Sequence, residues 1–168
     1  MKKLIFFHGY GGEPIPFITE LFKYLGYETI QQYIDYDYEW DLDECKSITE
    51  ESIELSKDCD VIIGLSLGGY TANLIANKLR KNCILINPGI DRDRSQLEIK
   101  DFNYPLEKND INLEVFLGAR DFQIPNHYTT EYLERNGIKA RIEVLEDMYH
   151  VFNDEQFVRI VKMSNFFK

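Results

Sequence analysis

Residues 64–69 read Gly-Leu-Ser-Leu-Gly-Gly and place Ser66 between glycines at the end of a strongly apolar run. A serine hydroxyl is a poor nucleophile at neutral pH until a neighbouring base takes its proton. Gly-x-Ser-x-Gly is the pattern of a tight strand-to-helix turn that lifts the hydroxyl clear of a sheet. Side chains two residues before and after the serine would collide across such a turn, so Gly64 and Gly68 fill those places. The next amide, that of Leu67, then stands at a helix N-terminus, where it can donate to a developing oxyanion.

Three histidines, His8, His127 and His150, are candidates for the base. His150 follows an apolar stretch across the short connection "DMY", and Asp121 follows another in "FLGARDFQIP". Ser66, Asp121 and His150 thus fall, in that order, each just past the end of a different predicted strand. This is the nucleophile, acid and base order of one convergent form of the serine triad. His150 would take the serine proton, and Asp121 would fix the imidazole tautomer and stabilise the imidazolium. His8 opens "HGYGG", whose glycines let the backbone pass close to Ser66 and aim the Tyr10 amide at the oxyanion. It reads as structural, and His127 as a surface residue of a helix. Asp91 and Asp93 in "NPGIDRD" are rivals for the acid, while Glu146 and Asp147 belong to the end of a strand.

These residues need a frame, and the hydropathy pattern supplies one. Strand patterns occur in "KLIFF", "ETIQQYI", "DVIIGL", "CILIN", "NLEVFLG" and "KARIEVLED". Between and after them lie helical patterns in "PIPFITELFKYLG", "DLDECKSITEESIELSKDC", the segment after Ser66, "NHYTTEYLERNG" and "DEQFVRIVKMSNFFK". Ile48, Ile53 and Leu55 are the core candidates of the second helix, and Leu74, Ile75 and Leu79 those of the third. Strands alternating with helices predict a three-layer α/β/α domain spanning 1–168, with a mainly parallel sheet of about six strands. Sites in such sheets lie beyond the carboxyl ends of the strands. Residues 88–110 are polar and irregular, with "SQLEIKDF" as a short helical stretch, and the tyrosine- and acid-rich segment 33–41 reads as an exposed connection with aromatic anchors.

Composition narrows the function classes. A formal charge of −10 repels nucleic-acid phosphates and anionic membranes, and no Lys/Arg cluster offsets it. No stretch approaches the roughly 20 apolar residues of a membrane span. The apolar run at 4–7 is far shorter than that of a signal peptide. Cys45, Cys59 and Cys83 are odd in number and widely spaced, which predicts buried thiols rather than disulfides or a zinc site. A reduced, cytoplasmic setting is expected.

Together, "HGYGG", "GLSLGGYTA", "INPGI", "GARDFQIP" and "MYHVF" resemble the α/β-hydrolase superfamily, most nearly the small YqiA-type bacterial esterases. The sequence departs from many of those relatives in lacking glycines just before His150. Against that family the chain reads as a minimal hydrolase fold: the oxyanion strand begins at Lys3, without the usual two leading antiparallel strands, and the place of a cap domain after the fourth strand holds only residues 88–110. The resemblance implies cleavage of small carboxylic esters or thioesters through an acyl-serine, with no metal ion and no organic cofactor. The expected pocket is shallow, bordered by Tyr10, Leu67, Ile90, Phe122, Tyr149 and Val151, and suits a short-chain acyl ester as the small-molecule partner. A hydrolase-fold binding or regulatory module, and an acyltransferase or peptidase, remain alternatives on the same scaffold.

Overall fold

The computed structural model describes residues 1–36, 41–91 and 111–168. The predicted stretch "SQLEIKDF", Asp93 and the centre of segment 33–41 lie outside these residues. Six strands form one sheet: β1 (Lys2–Phe7), β2 (Tyr27–Gln32), β3 (Val61–Leu65), β4 (Asn82–Ile86), β5 (Leu113–Gly118) and β6 (Arg141–Leu145). Their spatial order is β2-β1-β3-β4-β5-β6. Every pairing is parallel. Five described helices cover it: α1 (Pro16–Tyr24), α2 (Leu42–Ser56), α3 (Leu67–Leu79), α4 (Asn126–Arg135) and α5 (Asp154–Met163).

Because strand side chains alternate between faces, each central strand feeds two cores. Leu4 and Phe6 of β1, Val61, Ile63 and Leu65 of β3, and Ile84 and Ile86 of β4 pack with Ile18 and Phe22 of α1 and Phe157, Ile160 and Val161 of α5. Ile5, Phe7, Ile62, Cys83 and Leu85 point the other way, against Ala72, Ile75 and Ala76 of α3 and Leu133 of α4. The result is three layers, with α1 and α5 on one face and α2, α3 and α4 on the other. The outermost strand β6 pairs with β5 alone, and its side chains alternate between partly buried and exposed until Leu145.

Two local departures from the sequence pattern have physical causes. The second strand stops at Gln32, opposite Phe7, instead of reaching Ile34. The Ile34 amide has left the ladder and donates to His8 Nε2 at 3.1 Å, while the Ile34 side chain joins the core. Helix α2 buries Cys45, Thr49, Ser52 and Ser56, with Ile48, Ile53 and Leu55 at the flanks of the contact. Small hydroxyl side chains can face inward here because they bond back to carbonyls four residues earlier, Thr49 to Cys45 at 2.8 Å and Ser56 to Ser52 at 2.6 Å. Cys45, Cys59 and Cys83 are buried thiols, none of them in a disulfide.

Candidate active site

The strand order reverses between β1 and β3, and the loops that leave the carboxyl ends there and at β5 and β6 converge. Ser66 occupies the turn from β3 into α3 with φ 54° and ψ −118°, a conformation rare for a residue with a side chain. Its amide donates to Ile86 O at 3.0 Å, and its carbonyl accepts from Gly69 and Gly89, both at 2.9 Å. These bonds hold the strained turn against the end of β4. The flanking glycines are steric necessities: a Cβ on Gly68 would stand 2.2 Å from Phe7 O, and one on Gly64 would stand 2.2 Å from Gly68 O.

His150, in the turn between β6 and α5, lies with Nε2 2.9 Å from Ser66 Oγ. Its Nδ1 is 2.8 Å from Asp121 Oδ2. The other Asp121 oxygen accepts the amides of Gln123 and Ile124, each at 2.9 Å. The Asp121 side chain is wholly shielded from solvent, and that of His150 is 12% exposed. An acceptor carboxylate at Nδ1 requires the proton there, which leaves the Nε2 lone pair for the Ser66 hydroxyl. The structure therefore brings together, in one hydrogen-bonded line, three residues 29 and 84 positions apart in sequence.

The Leu67 amide opens α3 and has no acceptor within the helix, so it is available beside Ser66. Tyr10 lies in the β1–α1 loop, where the Gly12 amide closes a turn on Gly9 O at 3.1 Å. His8 is not aimed at the serine. Its Nδ1 donates to Gly9 O at 2.7 Å, and its Nε2 accepts the Ile34 amide. The Tyr33 and Tyr36 rings flank it at 5.5 and 5.7 Å. The Tyr36 hydroxyl in turn shares a hydrogen bond with Thr71 Oγ1 at 3.2 Å, and burial pushes its pKa up. Asp91 pairs with Arg135 at 3.3 Å. Asp147 is held by Arg159, which lowers its pKa, and His127 is exposed on α4.

An open cleft of about 570 Å³ adjoins Ser66 and His150, bounded by Tyr10, Glu13, Ile15, Gln123, Ile124 and Val151. Four of the expected border residues are not among those that line it. The Leu67 side chain is buried with Cys45, Tyr70 and Leu74. Ile90 is buried in the core on the α3 and α4 side of the sheet. Phe122 is 84% exposed, because its neighbour Asp121 turns its carboxylate inward and sends the next side chain out. Tyr149 is half exposed and lies against the Arg120 guanidinium, 5.7 Å from the ring centre. Ile124 stands in a loop and Ile15 at the N-cap of α1, where no periodicity reports which way a side chain faces. Asn87 was visible only as part of "INPGI", although its side chain reaches the His150 turn.

Residues 3–100 match the model of the family described as Uncharacterised protein family UPF0227. The chain belongs to that family. No curated protein matches the sequence significantly. Among solved structures, the chain is similar to Est1E from Butyrivibrio proteoclasticus, at 16% identity and a TM-score of 0.69, over 96% of this chain and 85% of that one. An alpha-beta serine hydrolase homologue from Coxiella burnetii matches at 14% identity and a TM-score of 0.65, over 95% and 84%. A monoacylglycerol lipase from Paleococcus ferrophilus matches at 13% identity and a TM-score of 0.65, over 95% and 91%. At these identities the likeness is one of fold, and the UPF0227 chain has the α/β-hydrolase fold. No helix among its described residues is long and apolar enough to cross a membrane.

Proposed function

We propose that this UPF0227 protein is a serine hydrolase that cleaves small carboxylic esters or thioesters. The observation that carries the reading is the line from Asp121 through His150 to Ser66, at 2.8 and 2.9 Å, ending on a strained strand-to-helix turn. Ser66 Oγ attacks the acyl carbon as His150 Nε2 takes its proton, and Asp121 stabilises the resulting imidazolium. The Leu67 and Tyr10 amides donate to the oxyanion. Collapse breaks the bond to the alcohol or thiol, which leaves with the proton from His150. Water then attacks the acyl-Ser66 ester, gives its proton to His150, and the acid departs as Ser66 recovers the proton. Protein groups serve every step, so the reading assigns no metal ion or organic cofactor.

The substrate in this reading is a neutral, short-chain acyl ester, and the protein works in the cytoplasm without nucleic-acid or membrane partners. The esterase and lipase names among the fold neighbours support the reaction class. The test is labelling with a fluorophosphonate followed by mass mapping. The adduct is expected on Ser66 and absent from Ser66→Ala. No adduct on folded protein, or one on another residue, would overturn the proposal and favour a binding module on the same fold. A panel of esters with acyl chains of two to about twelve carbons then ranks substrates by kcat/KM.

A further inference from the structure

Asn87 follows β4 with φ 42°, in the left-handed region that asparagine enters more readily than most residues. It is 1% exposed, and its whole side-chain amide is engaged. Nδ2 donates to the carbonyls of Tyr149 and His150, both at 2.8 Å. Oδ1 accepts the Gly118 amide at 2.7 Å. Two carbonyls on one side and an N–H on the other leave no freedom to flip the amide. The same junction is drawn close from β5. Ala119 and Arg120 donate to Leu145 O and Met148 O at 2.9 and 3.0 Å. A Cβ on Gly118 would stand 2.4 Å from Met148 O, so only glycine lets the two loops approach this far.

We infer that Asn87 is a positioning residue for the His150 imidazole. One side chain ties the backbone of the base to the strand end that carries Asp121, three residues past Gly118. None of these side-chain hydrogen bonds goes to Ser66, and Asn87 is not among the residues that line the cleft. It sets the ring by fixing the main chain from which the ring projects, while the Asp121 carboxylate fixes only Nδ1. The inference rests on the serine-hydrolase reading above. Displacing a reacting group by about 1 Å can cost on the order of a hundredfold in rate, and His150 must span two contacts at once.

Asn87→Gly removes the clamp and tolerates the positive φ. Asn87→Asp keeps Oδ1 for Gly118 and that φ, but turns an acceptor toward the two carbonyls. In both variants kcat for p-nitrophenyl acetate and the phosphonate labelling rate of Ser66 should fall on the order of a hundredfold, with KM nearly unchanged because no substrate contact is lost. The His150 Nδ1 proton should give a resolved NMR signal in the wild type, where only two other histidines compete, and that signal should broaden or vanish in the variants. Folded variants with wild-type kcat and an intact Nδ1 signal would overturn this inference alone. A folded wild type that takes no label would overturn the hydrolase reading, and this inference with it. Should neither variant fold, the wild type decides: the Asn87 side-chain amide protons should exchange slowly, and rapid exchange would overturn the clamp.

Discussion

Asp121 and Asp91 are both buried carboxylates at strand ends, and both were candidates for the acid. Asp121 accepts two backbone amides on one oxygen and faces His150 with the other, whereas Asp91 is paired with Arg135. Asp121→Asn should therefore lower kcat on the order of 10³–10⁴-fold, because an amide can hold the imidazole in the wrong tautomer. Asp91→Asn should leave kcat near the wild-type value, its effect appearing in the thermal midpoint instead. Steady-state kinetics of the two variants check this, and a crippled Asp91→Asn would move the acid to the end of β4. The positions of Ser66, Asp121 and His150 were legible because each terminates a run whose apolar pattern marks it as a strand. The inward turn of Asp121 that exposes Phe122, and the burial of Ile90, were not, since loop side chains take their direction from turn geometry.

At the level of elements, α5 shows how a short amphipathic helix is fixed at both its cap and its face. Asn153 and Gln156 form a reciprocal capping box at its start. Phe157 is fully buried, edge-on to Phe6 and Phe22 and stacked on Phe152 at 4.7 Å. Phe157→Ala should destabilise the fold by about 3–5 kcal/mol, measured by urea unfolding; a loss under about 1 kcal/mol would mean that the surrounding rings collapse into the cavity. The face of this helix was readable from its period. That of α2 was not, because its inward stripe of Cys45, Thr49, Ser52 and Ser56 is small and largely hydroxylic, and Ile48 and Leu55 made a louder signal. What ranks these residues is their back-bonding to the helix itself, which hydropathy does not see.

For the molecule as a whole, alternation of strands and helices disclosed the parallel layered class, while the order β2-β1-β3-β4-β5-β6 depends on long-range pairing that no local pattern encodes. The net charge of −10 and the carboxylate of Glu13, the one charged side chain among the described residues bounding the cleft, act together on substrates. Neutral acetate esters should be turned over with higher kcat/KM than esters carrying an added carboxylate, and the gap should narrow between 0.01 and 0.5 M salt, as the Debye length shrinks from about 30 Å to a few Å. A salt-independent ratio would remove the field as its cause. The sheet also distributes the reacting groups unequally. Ser66 stands on β3, paired on both sides, while His150 hangs from β6, which has a single neighbour and a half-exposed face. Edge elements open at lower free energy than central ones. Mild heat should thus uncouple the imidazole from the serine while the interior strands stay paired, so that turnover fails several degrees below the cooperative melt and returns on cooling.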